Sequence, residues 1–179
     1  FLSQDFYHDY EIVIGDDCST DGTLEKLKLY ESLHKNIIVI SHAQHVGAGA
    51  NWIEAIKSCR GKYISYCDGD DYFTTTHRLQ IFYNFMELNP DCSFSFGPAY
   101  REYENSKENA VRNMYTQHEI DRIDLAWVLR RGGGFYPTSA SFFKSDLIKS
   151  LPVWFNKHAT GDYPLAILSI LNGSIGYIN

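Results

Sequence analysis

The chain has 179 residues, of which 44% are hydrophobic and 15% aromatic, which is enough for one well-filled domain and excludes a disordered segment. Its formal net charge of −6 argues against a nucleic-acid backbone as a partner. The four cysteines form no Cys-x-x-Cys pair, and no apolar run approaches the roughly 18 residues that span a bilayer, so structural zinc and a transmembrane segment are both disfavoured.

The first third of the chain alternates apolar strands with amphipathic helices. A β-branched run at 10–15 is followed by an acidic loop at 16–23 and then by apolar residues at helical spacing. A second apolar run at 37–40 precedes another helical pattern around Trp52. This order predicts an α/β, Rossmann-like fold, with a mostly parallel sheet covered by helices on both faces, in a single domain over residues 1–179.

The stretch from Tyr63 to Phe73 begins as a buried strand and ends in three carboxylates, Asp68, Asp70 and Asp71. Carboxylates this close repel one another unless a cation or hydrogen bonds lie between them, and a divalent metal with positions open to phosphate oxygens is one solution. A solvated acidic turn is the other. A calcium-binding loop is excluded because Phe73 stands where that loop needs Gly.

The acidic residues after two different strands are expected to share one edge of the sheet. Ligands of parallel α/β sheets bind beyond the carboxyl ends of the strands, and this rule brings Asp16 and Asp17 to the edge that carries residues 68–71. We therefore predict a functional site there. The glycines of the 47–49 loop do not complete a dinucleotide-binding fingerprint, because its third small residue would fall at Trp52.

The second half of the chain continues the alternation of helices and strands. Helical patterns cover residues 76–88, 119–131 and 144–151, and strand-like runs cover 92–100, 137–143 and 175–178. Arg130 and Arg131, before three glycines, either clamp a diphosphate or end a helix at a flexible hinge. Pro164 fits the first turn of a last helix, and Asp162 lies two residues before it. Position alone therefore favours Asp162 as the cap of that helix.

Taken together, these residues resemble the inverting, nucleotide-sugar-dependent glycosyltransferases of family 2, which have the A-type fold. The matching segments lie in the family's order at 10–23, 61–72, 137–139 and 161–165. The family's first strand would precede residue 1, so the resemblance implies a catalytic domain that is incomplete at its N-terminus. The loop at 45–51 also lacks the Arg that relatives often carry there.

The resemblance implies a donor-binding role for the acidic loops. Asp17, with Asp16 beside it, would bind the nucleotide base, and Asp68 would lie near the ribose or the metal. Asp70, with Asp71, would bind Mn²⁺ or Mg²⁺. The cation would stabilise the charge that develops on the departing diphosphate.

Asp162 is, on the same resemblance, the catalytic base that takes the proton of the acceptor hydroxyl. The implied reaction is a single displacement, with inversion, from a UDP- or dTDP-sugar to a glycan or lipid-linked acceptor in polysaccharide biosynthesis. The segment from Arg101 to Gln117 and the region around Trp154 and Phe155 would shape the acceptor pocket.

Two other hypotheses stay open at this point. The chain would bind nucleotide or a partner chain without catalysis if the missing strand is essential. An aspartyl-phosphate phosphatase would use Asp68 as nucleophile and Asp70 as acid/base, but Asp71 and Tyr72 stand where it needs a small hydroxyl residue. The cysteine usage and the lack of a spanning run predict a reducing, cytoplasmic location, either free or at the inner face of the membrane.

Overall fold

The computed structural model describes residues 1–100, 123–132, 134–157 and 161–179. Within these ranges the strands are β1 (Ile12–Asp16), β2 (Ile37–Ser41), β3 (Tyr63–Ser65), β4 (Cys92–Phe96), β5 (Ser141–Lys144) and β6 (Ser174–Tyr177). The α-helices are α1 (Thr23–Leu33), α2 (Ala48–Ser58), α3 (Arg78–Leu88), α4 (Leu125–Arg131), α5 (Asp146–Lys149) and α6 (Asp162–Leu171). The predicted alternation of strands and helices is present, and the segment from Arg101 to Gln117 lies outside the described residues.

The described strands form two hydrogen-bonded groups. β1 and β2 pair in parallel, with Ile12 opposite Ile37. The other four lie in the order β3-β5-β4-β6, in which β4 and β6 are parallel and β5 is antiparallel to both of its neighbours. This is less parallel than the sequence predicted. The difference lies in β5, which runs opposite to β3 and β4 although a helix, α4, lies between β4 and β5 in the chain. The residue types that favour a strand do not set its direction, because they suit parallel and antiparallel pairing alike.

β4 lies in the centre of the fold and is buried at every position. Its Phe94 stacks on Phe143 of β5, with ring centroids 5.9 Å apart, and both rings are fully buried. The alternating serines, Ser93 and Ser95, are buried as well, and burial of their hydroxyls is tolerated because each donates a hydrogen bond to a backbone carbonyl. The Ser93 hydroxyl donates to the carbonyl of Ser169 at 2.7 Å, and the Ser95 hydroxyl donates to that of Phe142 at 3.3 Å. A Phe-Ser alternation therefore marks a strand covered on both faces here.

The ends of β1 and β3 lead into the two acidic loops, and the turn before β5 and the start of α6 supply the remaining candidate residues. The four cysteines all lie in the described part of the chain and are free thiols. No helix among the described residues combines the length and the apolar character that crossing a bilayer demands.

Candidate active site

A cavity of about 230 Å³ is lined by residues from α2, the loop after β3, the turn before β5 and the first turn of α6. Its wall is mostly aromatic and aliphatic, and includes Trp52, Tyr66 and Tyr136. Asp68 and Asp162 are the acidic residues that line it. The structure thus brings together two of the predicted site residues from distant parts of the chain.

Asp68 is anchored by hydroxyl groups on both of its carboxylate oxygens. The Tyr66 hydroxyl donates to Oδ1, while the Ser139 and Thr138 hydroxyls lie 3.1 and 3.3 Å from Oδ2. The backbone N–H of Asp68 in turn donates to Ser139 Oγ at 2.9 Å. Burial raises the pKa of Tyr66 above its ordinary value, and the hydrogen bond to Asp68 adds to the shift, so this phenol is a permanent donor. Asp68 therefore holds the acidic loop against the turn before β5.

Ser139 also links Asp68 to Asp71. Its hydroxyl lies 2.5 Å from Asp71 Oδ2, closer than it lies to Asp68, and its single proton serves one carboxylate at a time. The N–H of Asp71 donates to the carbonyl of Asp68 at 3.2 Å and closes the turn. Ser139 thus supplies hydrogen bonding between the two carboxylates, one of the two solutions that the sequence left open.

Asp70 stands apart from this network. It is exposed, and its carboxylate receives no hydrogen bond from any residue that the structure describes. Among those residues, no three His, Cys, Asp or Glu side chains are grouped so as to hold a metal by themselves. Asp70 and its exposed neighbour Asp71 are nevertheless hard oxygen donors of the kind that Mg²⁺ and Mn²⁺ prefer. They fit a cation whose remaining positions are filled by phosphate and water oxygens.

A buried arginine lies under the acidic loop. The Arg78 guanidinium sits 4.8 Å from the centre of the Phe73 ring and 4.0 Å from that of Phe82. Its Nη2 lies 3.4 Å from the carbonyl oxygen of Ser139 and 3.5 Å from that of Ser141, while Nε has no hydrogen-bond partner in the described structure. Burial lowers its pKa to about 10, so the group stays charged at neutral pH. Nothing in the sequence marks Arg78, because an Arg at the start of an amphipathic helix is ordinarily a surface residue.

The first acidic loop places its two aspartates differently. Asp16 is buried, and its carboxylate accepts the N–H of Ser19 at 3.1 Å. The Asp17 carboxylate accepts the N–H groups of Val46 and Gly47 at 2.7 and 3.0 Å, just before α2. Because the next residues of α2 line the cavity, Asp17 lies near the part of the wall that α2 forms. The Nδ1 atom of the exposed His45 ring lies 2.8 Å from an oxygen of this carboxylate.

Asn51 joins α2 to the end of β1. Its Nδ2 donates to the carbonyl of Gly15 at 3.0 Å, and its Oδ1 lies 3.1 Å from His42 Nε2. A β-carbon at Gly15 would lie 2.5 Å from Asn51 Oδ1, so only glycine allows this close approach. The contact fixes the start of the first acidic loop relative to the cavity wall.

Asp162 does not cap α6. The helix begins at Asp162, the cap position is occupied by Gly161, and no side chain makes a capping hydrogen bond there. The Asp162 carboxylate receives no hydrogen bond from any described residue, whereas its backbone carbonyl accepts the Tyr136 hydroxyl at 2.8 Å. The capping role favoured by position alone is therefore wrong. A free carboxylate in a cavity wall has the lone pairs that a general base requires.

The remaining predicted residues lie outside the cavity wall. Arg131 packs over the Trp127 ring at 5.3 Å, in the last turn of α4, and neither it nor Arg130 lines the cavity. Phe155 is fully buried and stacks on Trp52, with ring centroids 6.0 Å apart. It supports Trp52, a residue of the wall, and the exposed Trp154 packs against Phe155 with ring centroids 6.0 Å apart.

Comparison with known families gives a match over most of the chain. Residues 1–151 match the family model described as glycosyl transferase family 2. The chain is 30% identical over 153 residues to a poly(ribitol-phosphate) beta-glucosyltransferase of Bacillus spizizenii, an alignment that covers 84% of this chain and 22% of that protein. The chain spans between about a fifth and about a third of the length of the curated relatives it matches.

Two solved structures have the same fold at low sequence identity. S. aureus TarS 1-349 in complex with UDP aligns with a TM-score of 0.71 and 19% identity, over 98% of this chain and 51% of that one. The mannosyltransferase PcManGT from Pyrobaculum calidifontis, in complex with GDP-Man and Mn²⁺, aligns with a TM-score of 0.73 and 15% identity, over 99% and 48%. These similarities confirm the prediction of an α/β, Rossmann-like fold of the glycosyltransferase A type.

Proposed function

The chain belongs to glycosyl transferase family 2, and from that premise we propose that it transfers a sugar from a UDP- or dTDP-sugar to an acceptor hydroxyl, with inversion and with help from a divalent cation. The observation that carries the proposal is one cavity lined by two aspartates in different surroundings. Asp68 is held by hydroxyls and leads to the exposed Asp70 and Asp71, whereas Asp162 is unpartnered among the described residues. We call the Asp68 part of the wall the donor end and the Asp162 part the acceptor end.

The donor end would hold the nucleoside diphosphate. Asp70 and Asp71 would bind Mn²⁺ or Mg²⁺, which when bound would neutralise charge on the leaving diphosphate. Asp68 would keep the loop in position through its bonds to Tyr66 and Ser139. Asp17, near the part of the wall that α2 forms, would accept a hydrogen bond from the base, since each carboxylate oxygen can accept a second donor. Asp16, which is buried, would support this loop from within.

The acceptor end would activate the nucleophile. A sugar hydroxyl is a weak nucleophile until a carboxylate takes its proton as the new bond forms. Asp162 would do this from the wall of the same cavity. Attack from this side with departure of the diphosphate on the other is a single displacement and inverts the anomeric carbon. We propose a glycan or lipid-linked acceptor, in line with the poly(ribitol-phosphate) in the name of the Bacillus spizizenii relative.

The donor half is tested by calorimetric titration of UDP in the presence and absence of Mn²⁺. We expect binding that depends on Mn²⁺ and that Asp70→Ala abolishes. Asp146→Ala is the matched control, because it removes an exposed carboxylate from α5, outside the cavity. Equal UDP binding by wild type and Asp70→Ala would refute the metal assignment. Hydrolysis of simple phosphate esters without nucleotide preference would instead support the phosphatase alternative.

The acceptor half is tested with Asp162→Asn in a sugar-transfer assay that starts from a screen of nucleotide sugars. The amide cannot take a proton, so transfer should fall by about 10² to 10⁴-fold while UDP binding is retained. Turnover at the wild-type rate would rule out Asp162 as the base. Saturable UDP binding by the wild-type chain without any transfer would support a catalytically silent, nucleotide-binding role.

A further inference from the structure

Two neighbours from other elements hold the first turn of α6. The Tyr136 hydroxyl donates to the backbone carbonyl of Asp162 at 2.8 Å. On the other side, the six-membered ring of Trp52 lies so close to Gly161 that an added β-carbon would be 2.1 Å from Cζ3. Tyr136 and Trp52 both line the cavity that contains Asp162. The backbone of residues 161–162 is thus held by Tyr136, which precedes the turn before β5, and by Trp52 of α2.

Tyr136 is embedded in an aromatic cluster that would be filled equally well by phenylalanine. Its ring centroid lies 4.9 Å from those of Phe94 and Phe135, and the residue is only 5% exposed. Burial raises the pKa of Tyr136 well above its ordinary value, and the nearby charge of Asp162 adds to the shift, so the hydroxyl keeps its proton. A buried hydroxyl is costly unless it is hydrogen-bonded, and in this case the partner is the Asp162 carbonyl.

The contact differs from the one made by the other tyrosine of the cavity. Tyr66 donates to the carboxylate of Asp68 and so occupies that side chain. Tyr136 donates to the main chain of Asp162, and no described residue donates a hydrogen bond to the Asp162 carboxylate. A base must be held in place and must also keep its lone pairs for the incoming proton. Bonding through the carbonyl satisfies both requirements.

We propose that Tyr136 is a positioning residue for sugar transfer, and that its hydroxyl sets the place of Asp162 in the cavity wall. The inference rests on the proposed function, in which Asp162 is the base. Packing of the Tyr136 ring does not require its hydroxyl group, so the role proposed for the hydroxyl is separate from the packing of the cluster.

Tyr136→Phe tests the inference because it removes the hydroxyl and keeps the ring. We expect kcat to fall by about 10 to 100-fold, because a displacement of Asp162 by up to about 1 Å would cost this much in rate. The Kd for UDP and Mn²⁺ should stay unchanged. In an Asp162→Asn background, the same substitution should cause no further loss, since Tyr136 acts through Asp162. The matched control is Tyr63→Phe, which removes a hydroxyl that donates to Glu87 at 2.7 Å outside the cavity; it should leave kcat unchanged.

Hydrogen exchange gives a readout that does not depend on turnover. The N–H of Leu165 donates to the carbonyl of Gly161 at 2.9 Å in the first turn of α6. Its exchange should become faster in Tyr136→Phe and stay unchanged in Tyr63→Phe. Unchanged exchange and kcat in Tyr136→Phe would overturn the inference, and so would an equal loss of rate in the Asp162→Asn background. If Asp162→Asn itself transfers normally, it is the proposed function that fails.

Discussion

Gly161→Ala is the substitution whose effect the structure specifies most sharply. Gly161 has φ −84° and ψ −16°, a backbone conformation open to alanine, so conformational entropy alone would make the variant more stable by about 0.4 to 1 kcal/mol. The tertiary contact predicts the opposite sign. The new β-carbon would lie 2.1 Å from Cζ3, 2.6 Å from Cη2 and 2.9 Å from Cε3 of Trp52.

The size of the effect follows from the required movement. Carbon atoms in contact are about 3.5 Å apart, so a gap of roughly 1.4 Å (3.5 − 2.1) must open between Trp52 and the start of α6. Trp52 cannot turn freely, because it stacks on Phe155 and meets Tyr66 edge-on. Overpacking of this kind costs about 1 to 3 kcal/mol, and a shift of about 1 Å in a catalytic group costs about 10²-fold in rate.

The assay pairs urea unfolding with sugar transfer. We expect the free energy of unfolding to fall by about 1 to 3 kcal/mol and kcat by about 10²-fold, with UDP affinity retained. Trp52→Phe in the same chain removes the ring atoms that clash and should restore part of both. Gly69→Ala is the stability control, since its β-carbon would meet no atom within 4 Å. A Gly161→Ala protein as stable and as active as wild type would refute the reasoning.

Two further predictions concern the acidic loop and a half-buried thiol. Ser139→Ala leaves the N–H of Asp68 and a carboxylate oxygen of Asp71 without their partner. The free energy of unfolding should therefore fall by about 1 to 3 kcal/mol, and Mn²⁺-dependent UDP binding should weaken. The control is Ser150→Ala, which removes an exposed hydroxyl from another part of the chain and should change neither quantity. Burial raises the pKa of the Cys59 thiol to about 11, and the charge of Glu11 adds to the shift. The stability that this thiol contributes is therefore complete below the pKa of an unfolded thiol, about 8.5, and is lost as pH rises through 11. Alkylation of native Cys59 should accordingly reach half its maximal rate near pH 11, and a midpoint near that of a free thiol would contradict this.

Local patterns in the sequence were sufficient for the type of fold and for the acidic loops. Apolar runs that end in aspartate marked β1 and β3, because strand period and turn chemistry are properties of a few neighbouring residues. The direction of β5 was not readable in this way. Its residues have the same strand-forming character whether they pair in parallel or antiparallel, and its direction is defined only by its pairing with β3 and β4 in the folded sheet.

The sequence by itself also singled out Asp68, Asp70, Asp71 and Asp162 as candidates. Only the tertiary structure decided how they differ: Ser139 lies between two of the carboxylates, Asp70 has no partner among the described residues, and Asp162 is held through its carbonyl by Tyr136. These partners come from distant parts of the chain. Which of these residues contact one another depends on how the sheet and the helices pack, and this packing cannot be predicted from residue type and local spacing.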